Sequence, residues 1–219
     1  MPEAYIVAAV RTAGGRKGGR LSGWHPADLA AQVLDALVAR AKAPSDAIDD
    51  VIVGCVSQVG EQGFNIARNA VLSSCLPESV PGTSVDRQCG SSQQAIHFAA
   101  QAVQSGSMDV VIAAGVESMT RVPMGLSVSL PQKHGFGSYV SPAMQARYPN
   151  VEFSQFLGAE MMARKYDLSK DQLDEYALKS HQLAIAATRA KAFDEEIVPV
   201  QIRRAPAPGG EVATPEATE

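Results

Sequence analysis

Strand-like runs alternate with helix-patterned segments over the first half of the chain, and this alternation constrains the fold more than any other feature. Residues 5–10, 51–53 and 109–114 are short apolar runs suited to buried strands, and Thr83-Ser-Val-Asp-Arg87 reads as a further strand. Between them lie three helical patterns. The first opens at His25-Pro26-Ala-Asp28 and sets Leu29, Val33, Leu34, Leu37 and Val38 on one face. The second covers 65–75 and is broken by Leu76-Pro77, and the third runs from about Gly90 to Gln104, rich in small residues, until Gly106 closes it. Strands alternating with helices predict an α/β layered fold with a mainly parallel sheet flanked by helices.

The character changes after Glu117. Residues 119–150 carry scattered Pro, Gly and Ser without periodicity, and two helical segments follow at about 153–166 and 171–191. Ser169 with Gln172 three residues on forms a capping-box pattern ahead of the second helix. The expected organisation is a core domain over 1–118, an inserted loop and helix subdomain over 119–204, and a flexible tail over 205–219.

Charge and cysteine usage narrow the function. A formal net charge of -4 leaves no basic footprint, so nucleic acid is not an expected partner. The apolar stretch near the start is too short to span a bilayer and lacks a signal peptide's charged lead, which predicts a cytoplasmic protein without a membrane partner. Three cysteines without a CxxC pair argue against a disulfide framework and against a metal site. Cys55 and Cys75 read as buried structural thiols.

Cys89 differs from both. It falls where the strand ending at Arg87 turns into the small-residue helix, an elbow that exposes a nucleophile at the tip of a sheet. Gly90, Ser91 and Ser92 remove bulk around it, and a helix N-terminus supplies N–H groups and positive partial charge. That partial charge is worth no more than about 2 kcal/mol, so an efficient nucleophile also needs a base. None of the four histidines supplies one on sequence grounds. His97 lies about 12 Å along the same helix, and His25, His134 and His181 read as structural or solvated. From local chemistry alone, an inert cysteine at a helix start remains an alternative.

Four stretches carry a family resemblance. Val85-Asp-Arg-Gln-Cys-Gly-Ser-Ser-Gln-Gln-Ala95 closely resembles the active-site segment of the thiolases. Gly60-Glu-Gln-Gly-Phe-Asn65 with Ala67-Arg68, Ala114-Gly-Val-Glu-Ser-Met-Thr-Arg121, and Ala9-Val-Arg-Thr12 with Gly14 are similar to three further thiolase motifs, in order and spacing. The resemblance implies a thiolase-like layered fold and an acyltransferase reaction. In that reaction Cys89 attacks the 3-keto carbon of a 3-ketoacyl-CoA, acetyl-CoA leaves, and free CoA removes the acyl group. It further implies that the Cys89 N–H is one oxyanion donor, that the region from about Met119 helps cover the pantetheine arm, and that CoA is a substrate, with no resident cofactor.

Two departures qualify what is carried over. Where many thiolases have His-Met-Gly, this chain reads Phe156-Leu157-Gly158. Leu157 keeps an apolar wall for pantetheine and is the expected substrate-binding residue, while Phe156 favours a bulkier, branched or steroid acyl chain; the alternative is that both simply pack the loop helix against the sheet. The family's second half carries a His, a second Cys and an Asn, yet no Gly-His-Pro or Cys-x-Gly segment occurs here. The chain is therefore expected to be inactive alone, with the second half absent from it. Its expected partners are a complementary C-terminal half or further copies in a homodimer or homotetramer. A ketoacyl-synthase-like condensing enzyme and an incomplete fragment acting only through assembly stand as the alternatives.

Overall fold

Parallel strands β1 (Asp50–Gly54), β2 (Gly82–Val85) and β3 (Val111–Gly115) form a sheet ordered β2-β1-β3. Register places Val51 beside Gly82 on one side and Ile112 on the other. The computed structural model describes residues 3–203, so the expected tail at 205–219 lies outside the described residues. The described residues group into two units, 3–133 with 196–203, and 134–195.

In the first unit the central strand has no solvated face. Val51 and Val53 point into one apolar cluster with Leu34, Ala67, Ala70, Val71 and Ile112. Ile52, one residue out of phase, points into another with Ala95 and Ala99. Period-two alternation thus feeds two cores, which is why a parallel central strand reads as an unbroken apolar run. Helices α1 (Pro26–Ala41) and α2 (Ile66–Leu72) cover the first face, and α3 (Ser91–Ser105) covers the second. Proline sits at the first turn of α1, and the His25 Nδ1 accepts from the Ala27 N–H at 3.3 Å, so this histidine is a helix cap. Gly106 closes α3 in the left-handed region, as its sequence position suggests.

Two expectations need correction here. Residues 5–10 do not join the sheet. Tyr5, Ile6 and Val7 are exposed at 76%, 80% and 82%, because no described strand lies alongside to take their backbone hydrogen bonds. Pairing begins only at Arg11, whose N–H donates to the Glu196 carbonyl and whose carbonyl accepts from the Val198 N–H, both at 2.8 Å. Between this segment and β3 lies a cleft of about 1240 Å³. The second correction concerns 119–150, which is not wholly irregular: α4 (Leu126–Lys133) and α5 (Pro142–Arg147) form within it. Ser141 caps α5 and Pro142 takes its first turn, a start signal that the surrounding Gly and Pro obscure in sequence.

The second unit contains α5, α6 (Gln155–Lys165) and α7 (Lys170–Arg189). The capping box at α7 is formed in full, with Ser169 Oγ accepting from the Gln172 N–H and Gln172 Oε1 accepting from the Ser169 N–H. None of these three helices contains a buried residue.

Candidate functional site

The elbow expected at Cys89 is present. β2 ends at Val85, α3 starts at Ser91, and the five residues between them turn the chain through a sharp corner. Gln88 takes φ 47, the left-handed region that a side chain rarely adopts, and the exposed Cys89 follows directly. Side chains on both flanks hold this geometry. Asp86 Oδ1 accepts from the Gln88 N–H at 2.8 Å. The buried Ser91 Oγ accepts from the Arg87 N–H at 3.0 Å and donates to the Gln88 carbonyl at 2.5 Å. Gly90 N–H closes the turn onto the Arg87 carbonyl at 3.0 Å. Strain of this kind persists where surrounding bonds over-determine it, as they do here.

The carboxyl ends of all three strands converge on the first turn of α3. Parallel α/β sheets bind ligands outside the carboxyl ends of their strands, and Cys89 stands at that edge. Among the described residues no histidine hydrogen-bonds at the elbow; His97 is exposed on α3, and His134 and His181 are exposed elsewhere. The cleft beside residues 4–12 is lined without a cysteine or histidine.

The other cysteines are placed less favourably for chemistry. Cys55 is buried, and desolvation, then the Glu117 carboxylate beside it, push its thiol up to about 12. Cys75 corrects an expectation, since it is exposed. It follows the end of the short α2, where its N–H donates to Asp35 Oδ1 at 2.7 Å. Partial desolvation and then the Asp35 carboxylate raise its thiol as well.

A polar clamp behind the elbow is legible in sequence only as two separate motifs, 60–68 and 114–121. Gln62 is fully buried. Its Nε2 donates to the Ser57 carbonyl at 3.0 Å and to Glu117 Oε1 at 2.9 Å, while its Oε1 accepts from the Ser118 N–H at 2.7 Å. Glu117 Oε2 also accepts from the Val56 N–H at 2.8 Å. Arg121 then grips Glu61 through Nε at 2.5 Å and Nη2 at 2.6 Å, and donates to the Ser22 carbonyl at 3.1 Å. These bonds tie the segment following β3 to the segment following β1. A second set anchors β2: Asn65 Nδ2 donates to the Gly82 carbonyl at 2.8 Å, and Arg68 donates to the Val80 and Glu78 carbonyls.

Leu157 lies in the first turn of α6, in the second unit, with 46% of its surface exposed. Phe156 beside it is exposed too, so within this chain neither residue is a packed core position.

Comparison with known proteins gives this geometry a context. A family profile described as "Thiolase, N-terminal domain" matches residues 4–216. "Steroid 3-ketoacyl-CoA thiolase FadA6" of Mycobacterium tuberculosis (strain ATCC 25618 / H37Rv) is 46% identical over 208 residues, covering 94% of this chain and 51% of that protein. "3-ketoacyl-CoA thiolase" of Enterobacter sp. (strain 638) is 42% identical over 201 residues, and "3-ketoacyl-CoA thiolase FadA" of Escherichia coli (strain K12) is 41% identical over 201. Each of these two matches covers 91% of this chain and 49% of the relative, so the chain spans about half the length of the curated relatives it matches. A match running through nearly the whole chain, across an elbow that presents a thiol, shows that the protein belongs to the thiolase family.

Proposed function

We propose that this chain supplies the acyl-accepting half of a 3-ketoacyl-CoA thiolase, with Cys89 as nucleophile. The observation that carries the proposal is the exposed Cys89 at a strand-to-helix elbow whose two preceding peptides are pinned by one buried serine. In the forward direction the Cys89 thiolate adds to the C3 carbonyl of a 3-ketoacyl-CoA. The C2–C3 bond then breaks, and the electron pair leaves on acetyl-CoA, which takes up a proton. CoA thiolate next attacks the acyl-cysteine and regenerates Cys89. Splitting a carbon–carbon cleavage into two displacements is the gain from a covalent intermediate. N–H groups at the elbow, that of Cys89 among them, would stabilise the oxyanion in each displacement.

The proton transfers need groups that the elbow does not hold, which supports catalysis only in an assembly containing the family's second half. The assembled enzyme is a homodimer or homotetramer. CoA enters as a substrate in place of a resident cofactor, Leu157 lines its pantetheine arm, and the protein works in the cytoplasm. No described helix is long and apolar enough to cross a membrane. Phe156 and the steroid thiolase among the relatives support a bulky acyl chain.

Acetyl-CoA release from acetoacetyl-CoA and from a bulky 3-ketoacyl-CoA tests the reading, measured with free CoA on the complete polypeptide carrying this sequence. The bulky substrate is expected to have the higher kcat/KM, with Cys89→Ala inactive on both. A preference for acetoacetyl-CoA would overturn the chain-length assignment, and turnover by Cys89→Ala would overturn the nucleophile.

A further inference from the structure

We propose that Gly54 and Gly115 are positioning residues for Cys89, forming a backbone slot that sets where the first turn of α3 stands. The proposal rests on the reading of Cys89 as the acyl-accepting nucleophile. Gly54 and Gly115 end their strands and face each other in register. Neither has a positive φ, so backbone conformation does not demand glycine at either position. Space does. A Cβ on Gly54 would stand 2.2 Å from the Ser92 N, 2.4 Å from the Ser91 carbonyl carbon and 2.6 Å from the Ser92 Cα. On Gly115 it would stand 2.6 Å from the Ser92 Cβ, with every other neighbour at 3.4 Å or beyond. The α3 backbone therefore rests directly on the end of β1, and the Ser92 side chain rests on the end of β3.

The slot is coupled to the thiol by the bonds already described. Ser91 sits in the turn the slot supports, and its Oγ bridges the Arg87 and Gln88 peptides that lead into Cys89. Lifting Ser91 and Ser92 moves those peptides and drags the sulfur with them. Relieving a 2.6 Å contact needs a shift of roughly 0.8 Å, and a displacement of about 1 Å at a reacting group costs on the order of 10²-fold in rate. The two glycines act through α3 and touch neither substrate nor sulfur.

The side-chain clash at Gly115 makes the idea testable by compensation. In the complete polypeptide, kcat and KM for CoA-dependent cleavage of a 3-ketoacyl-CoA would be compared among wild type, Cys89→Ala, Ser92→Gly, Gly115→Ala and the Gly115→Ala/Ser92→Gly double variant. Gly115→Ala is expected to lower kcat by about 10²-fold with KM changed less than about threefold. Removing the Ser92 Cβ frees the space, so the double variant is expected within about threefold of Ser92→Gly alone. A Gly115→Ala enzyme that folds and keeps its kcat overturns the proposal, even with a lowered Tm, because a merely packing role would look that way. A double variant as slow as Gly115→Ala overturns it as well. Should Gly115→Ala fail to fold, the double variant is expected to fold and turn over like Ser92→Gly, and its failure to do either is contradictory. Turnover by Cys89→Ala would instead remove the nucleophile reading beneath the proposal.

Discussion

Three cysteines in one chain meet three different environments, and their reactivity should follow. Cys89 is exposed at a helix N-terminus, Cys75 is exposed with a thiol raised by partial desolvation and then by Asp35, and Cys55 is buried. Iodoacetamide at near-neutral pH is expected to label Cys89 first, then Cys75, with Cys55 last, as read by peptide mass spectrometry. Labelling of Cys75 ahead of Cys89 would contradict the elbow's advantage. Cys55 makes a second prediction. Its thiol is raised to about 12 in the folded protein, so its contribution to stability is full below the unfolded value and lost as pH rises towards the folded one. Above about pH 8.5 unfolding should become easier by up to about 1.4 kcal/mol per pH unit, and Cys55→Ala should flatten that slope in urea titrations. The elbow position of Cys89 and the burial of Cys55 are legible in sequence. Cys75 was misjudged there because its partner Asp35 lies forty residues away, on α1.

At the scale of elements, the clamp joining the segments after β1 and β3 is the feature to break. Glu117→Ala leaves the Val56 and Ser57 N–H groups and one of the two Gln62 amide hydrogens without an acceptor, and a loss of about 2–4 kcal/mol is expected from chemical denaturation. The Arg121 guanidinium, chiefly through its hydrogen bonds, holds the Glu61 carboxyl below the usual carboxylate range. That pair therefore contributes fully above the unfolded value of about 4.3 and is lost as pH falls through the lower folded value. Glu61→Gln should shrink the acid dependence of unfolding below about pH 5, while an unchanged acid limb would contradict the pairing. Most elements were legible: β1, β2, β3, α1, α2, α3, α6 and α7 all form where periodicity, caps and breakers place them. The apolar run at 5–10 was misleading, because a strand exists only with a partner and local pattern does not reveal the partner. α5 was missed for the opposite reason, its local cap signal being masked by a Gly- and Pro-rich neighbourhood.

For the whole molecule, the two units differ in how they are stabilised. The first has apolar clusters on both faces of its sheet, whereas α5, α6 and α7 of the second have no buried residue. Protection from hydrogen exchange is accordingly expected to be high in β1 and α2 and low throughout α6 and α7. The layered α/β fold was derivable from strand and helix order. Cys89 was derivable only as a candidate nucleophile, because an elbow thiol and an inert thiol at a helix start share the same local pattern. Membership of the thiolase family and the pinned turn at Gln88 support the proposed nucleophile over the inert thiol. The measurement that tests the central claim most directly is intact and peptide mass analysis of the complete polypeptide quenched in acid after mixing with a 3-ketoacyl-CoA in the absence of free CoA. The account predicts an added acyl mass confined to the peptide carrying Cys89, removed by later addition of CoA and absent in Cys89→Ala. An acyl adduct on another residue, or turnover with no adduct at Cys89, would contradict it.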